Sequence, residues 1–124
     1  MLSSEQQFMQ VVREVSEAMT RLSAKECEIE YGYQWYWALK RSRLQVSCTL
    51  SGSQLRMSCE HNDALIAAMD FDIDILNLDT DLARFKYIVG MTLDAFKQTD
   101  RPSAGRVVKK YVELELRAEA ARQS

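Results

Sequence analysis

The sequence predicts an α+β fold: an N-terminal helix, a three- to four-stranded antiparallel β-meander, and two C-terminal helices packed on one sheet face. Two observations predict the sheet. Between Cys27 and Leu39 every odd position is apolar or aromatic: Cys27, Ile29, Tyr31, Tyr33, Trp35, Trp37, Leu39. Glu28, Glu30, Gln34 and Lys40 stand between or beside them, and this period of two marks a strand with one buried face. Leu44, Val46, Cys48 and Leu50, then Leu55, Met57 and Cys59, repeat the pattern on either side of Ser51-Gly52-Ser53-Gln54. A third observation predicts the helices, because apolar residues before and after the sheet recur at helical spacing.

The first helix spans 4–22. Ser4 and Gln7 have capping-box spacing. Phe8, Val11, Val12, Val15, Met19 and Leu22 form its apolar stripe.

Gly52-Ser53 suits the Gly-X order of a type II′ turn. Such a turn pairs Leu50 with Leu55, Cys48 with Met57 and Val46 with Cys59. A one-residue slip would send these side chains to opposite faces. The preceding hairpin, turning at Arg41-Ser42, pairs Leu39 with Leu44, Trp37 with Val46, Trp35 with Cys48 and Tyr33 with Leu50. Arg-Ser is a poor primed-turn dipeptide, which leaves a longer loop open. The opposite face carries Gln34, Tyr36, Gln45, Ser47, Thr49, Gln54, Arg56, Ser58 and Glu60, as in a sheet wet on one side.

A fourth strand follows a three-residue loop at His61-Asn62-Asp63, with Leu65, Ala67, Met69, Phe71, Ile73 and Ile75 on one side. That loop opposes Met57 to Ala67 and Leu55 to Met69. Residues 63–69 are also compatible with a short helix capped by Asn62.

The second helix covers 82–97, after caps at Asp79-Thr80-Asp81. Leu82, Phe85, Val89, Leu93 and Phe96 form one stripe; Tyr87, Ile88, Met91 and Ala95 form another. Gly90 sits mid-helix, where it costs about 1 kcal/mol relative to Ala, and Ala83 lies on its side. Pro102-Ser103 breaks the chain before a third helix at about Ala104–Arg122.

The 124 residues suit a single domain, 1–124, with an ordered core of about 4–121. The start MLSSEQQFMQ lacks the basic and apolar regions of a signal peptide, and no apolar run has membrane-spanning length. Cys27, Cys48 and Cys59 include no Cys-x-x-Cys and are expected to face inward as reduced thiols of a cytoplasmic protein.

Net charge is −2 and unevenly spread. Residues 70–81 hold five Asp and no base, whereas 82–124 hold nine basic and five acidic side chains. Asp70-x-Asp72-x-Asp74 imitates the opening of an EF-hand loop. Ile75 stands where that loop needs Gly, and Asp81 where it needs Glu. An acidic stripe along a strand is the simpler account: neighbouring carboxylates about 6.6 Å apart repel by only about 0.6 kcal/mol in water.

His61 is the only histidine and lies in a turn. Ser51-Gly52-Ser53 is a hairpin and not a nucleophile elbow. No Walker loop, dinucleotide fingerprint or zincin motif occurs, so neither enzymatic activity nor a cofactor or metal is expected.

These readings point to a non-enzymatic protein-binding module: an adaptor, an inhibitor or a dedicated chaperone. The helix–strands–helix layout broadly resembles that of type III secretion chaperones, and no motif assigns a family. The expected partner is another protein or a second copy of the chain as a homodimer, centred on Tyr87, Ile88, Met91 and Ala95. Asp70, Asp72 and Asp74, together with Lys40, Arg41 and Arg43, form a candidate electrostatic surface. Two other readings are a small-molecule pocket beside Trp35 and Trp37, and a weak nucleic-acid contact at the Lys40–Arg43 tip. No membrane partner is expected.

Overall fold

Ser3, not Ser4, caps the first helix. In the structure, a computed structural model that describes residues 2–76 and 78–99, α1 spans Ser4–Arg21. The Ser3 hydroxyl accepts from Gln6 N–H, and the Gln6 side chain accepts from Ser3 N–H. The capping box thus sits one residue earlier than Ser4 and Gln7 suggest; the Ser-Ser-x-Gln-Gln run offers two frames of the same signal. Phe8, Val11, Val12, Val15 and Met19 are buried along one face.

Five strands follow: β1 Lys25–Ile29, β2 Gly32–Ala38, β3 Arg43–Ser51, β4 Gln54–His61 and β5 Ala64–Asp72. They form one antiparallel sheet in chain order. The expected three or four strands become five because the long 27–39 alternation is broken at Glu30-Tyr31. Tyr31 has φ 66°, and Ile29 pairs with Gly32 across the turn. The two-residue turn flips the parity of everything before it. Glu26 therefore lies opposite Trp35, and Cys27 opposite Gln34. Cys27, expected inward, sits half-buried on the polar face; its thiol lies 3.7 Å from Gln34 Oε1.

The β3–β4 hairpin follows its expected register. Leu50 faces Leu55, Cys48 faces Met57 and Val46 faces Cys59, with Gly52 at φ +63°. Between β2 and β3 the register differs by two. Trp37 pairs with Leu44, Trp35 with Val46 and Tyr33 with Cys48. The turn centres on Lys40-Arg41, and Leu39 N–H donates to Ser42 O at 2.8 Å. A shift of two keeps every side chain on its face, so burial alone could not separate the two registers.

The β4–β5 turn is shorter than expected, with Asn62 and Asp63 both at positive φ. His61 pairs with Ala64 and Glu60 with Leu65, and a bulge then places Cys59 opposite Ala67 and Met57 opposite Met69. Residues 64–69 are strand, not helix. The bulge buries Ile66 beside Ala67 and leaves Leu65 exposed. The strand ends at Asp72 and a 3₁₀ turn, Ile73–Ile75, follows, so Ile73 is buried while Ile75 is exposed.

α2 spans Leu78–Thr99. It starts earlier than expected, which places Asp79 and Asp81 within its first turn, where acids complement the helix dipole. Both helices lie on one sheet face: α1 over β2 and β3, and α2 beside α1. Leu82, Phe85, Val89, Leu93 and Phe96 are all buried, which accounts for the main stripe of α2. Glu14 and Lys86 tie the helices together at 3.3 Å. The expected third helix and its Pro102-Ser103 break lie outside the described residues.

Candidate functional site

The second apolar stripe of α2 divides between core and surface. Ile88 is only 2% exposed and belongs to the core of the monomer. Met91 and Ala95 are half-buried against that core. Tyr87 is 60% exposed. One helical turn on, Gly90 is half-buried, and among the described residues nothing lies within 4 Å of the place where a Cβ would sit. Positions 83, 87, 90 and 91 share a helix face. That outer face is thus a shallow strip: a large ring beside a glycine notch, continued by Met91 and Ala95.

The candidate charges do not form one surface. Lys40 and Arg41 are exposed in the β2–β3 turn. Arg43 turns back over the sheet: its guanidinium lies 4.0 Å from the centroid of the Tyr36 ring and donates to Gln34 Oε1 at 3.0 Å. At the opposite end of the strands, Asp70 faces Arg56 across β4 and β5, with an ion pair at 3.4 Å. Asp72 caps the 3₁₀ turn by accepting from Asp74 N–H at 3.0 Å. Asp74 itself is exposed. The alternate acids therefore stand on a strand and a turn, not in a loop. Among the described residues, no group of three or more His, Cys, Asp and Glu could hold a metal ion.

The two tryptophans fill the core. Trp35 is fully buried, and its indole N–H donates to Glu26 Oε1 at 2.6 Å; the same oxygen accepts from Ser16 Oγ at 2.6 Å. Trp37 donates to the backbone oxygen of Leu22 at 2.9 Å. Each ring thus buries its apolar body and satisfies its one polar atom. Glu26 could reach this junction only after the Glu30-Tyr31 turn moved it to the Trp35 side. Among the described residues, concave surface lies along α1 at Ser3, Met9 and Arg13, and between the helices at Glu14, Asp79, Leu82 and Lys86.

Cys48 and Cys59 are buried, and burial pushes both thiols up to about 12; Glu60 adds to the rise at Cys59. They are therefore poor nucleophiles near neutrality. No helix among the described residues is long and apolar enough to cross a membrane. No family model, curated protein or solved structure matches the chain.

Tyr31 and Ile75, which the period of two places on the apolar side of a strand, are 70% and 77% exposed. Gly32 was the available signal at Tyr31, since a glycine directly after a short alternating run can close a turn. For Ile75, the adjacent acids hid the end of the strand by continuing its period of two.

Proposed function

We propose that this chain is a non-enzymatic protein-binding module, in the manner of an adaptor, an inhibitor or a dedicated chaperone, acting through the outer face of α2. The observation that carries this reading is the 60% exposure of Tyr87 on a helix whose other side is packed into the core. Tyrosine is enriched at interfaces, where its ring packs and its hydroxyl finds a partner. The neighbouring Gly90 notch and the half-buried Met91 and Ala95 give a partner a shaped surface.

Ile88, part of the sequence-based interface, is better assigned to folding. The aromatic-lined ligand pocket has less support, because Trp35 and Trp37 are buried with both indole N–H groups engaged. The nucleic-acid reading is weakened by Arg43, which spends its guanidinium on Tyr36 and Gln34.

The test is affinity capture with the full chain and with Tyr87→Glu, combined with sedimentation of both. The reading expects a protein partner or a second copy to be held by the wild type and lost from a Tyr87→Glu variant with unchanged circular dichroism. A variant that folds and retains every partner would refute it.

A further inference from the structure

We draw no further inference here: the strongest candidate, the outer edge of β5, uncharged from Ala64 to Met69 and paired with β4 alone among the described residues, carries nothing because nothing in the structure shows what covers it.

Discussion

The imidazole of His61 stacks on the ring of Phe96, with centroids 3.9 Å apart and planes 23° from parallel. This contact fastens the last turns of α2 to the end of β4. Phe96 is fully buried, so Phe96→Ala should cost about 3–5 kcal/mol. His61→Ala should cost less. Their double-mutant cycle in urea should return a coupling of about 0.5–1.5 kcal/mol. Additive losses would show that the stack contributes no specific energy.

Glu26 holds Trp35 and Ser16 on one carboxylate oxygen. Glu26→Ala would leave the buried indole N–H without its acceptor, at about 1–3 kcal/mol. Removing Ser16 alone should be milder, since Trp35 keeps its partner. Denaturant midpoints of the two variants check the order, and a larger loss for Ser16→Ala would contradict it.

Two glycines should respond in opposite directions to alanine. A Cβ at Gly32 would overlap the carbonyl oxygen of Cys48, so Gly32→Ala must shift the β2–β3 backbone and should lower stability by several kcal/mol, about the range of severe core disruption. Among the described residues nothing lies within 4 Å of a Cβ at Gly90, and Gly90→Ala should raise the stability of the monomer by about 1 kcal/mol. Thermal unfolding at low concentration reads both.

The thiols should label in a fixed order. Cys27 is half-buried on the polar face while Cys48 and Cys59 are sealed, so a thiol reagent should modify Cys27 first and the other two only on unfolding. Their linkage to pH has a definite sign. Folding raises both thiols from about 9 to about 12, so between these values the folded chain binds more protons than the unfolded one. The stability these thiols contribute is whole below about pH 9 and declines as pH rises toward 12, by about 1.4 kcal/mol per unit for each. Replacing both by Ala should flatten this alkaline limb of the unfolding curve.

Which parts of the fold were legible followed from where the information lay. Leu50–Leu55 was legible because a local turn signal, Gly52-Ser53, and the apolar pattern agree on one register. Tyr33–Cys48 was not, because Lys40-Arg41 and Arg41-Ser42 are equally ordinary turn dipeptides and a shift of two conserves the buried face. The turn at Tyr31 is hidden in the sequence because an aromatic residue at positive φ is uncommon, and the alternation runs unbroken through it. Ile88 shows the same limit at the candidate site. Helical spacing grouped it with Tyr87 and Met91, but α2 is buried over a wider arc than one stripe. Sequence can show that α2 has too much apolar surface; only packing shows which residues keep it.

The strand order of the sheet has a kinetic consequence. Each strand pairs with its neighbour in the chain, so every pairing closes a short loop and the sheet can grow hairpin by hairpin from β3–β4. Such local pairing lowers contact order and favours fast folding for a sheet of this size. Joining α1 to α2 is different: the Glu14–Lys86 pair spans 72 positions of chain. That long closure belongs to the end of folding, after the meander has brought both helices to the same face.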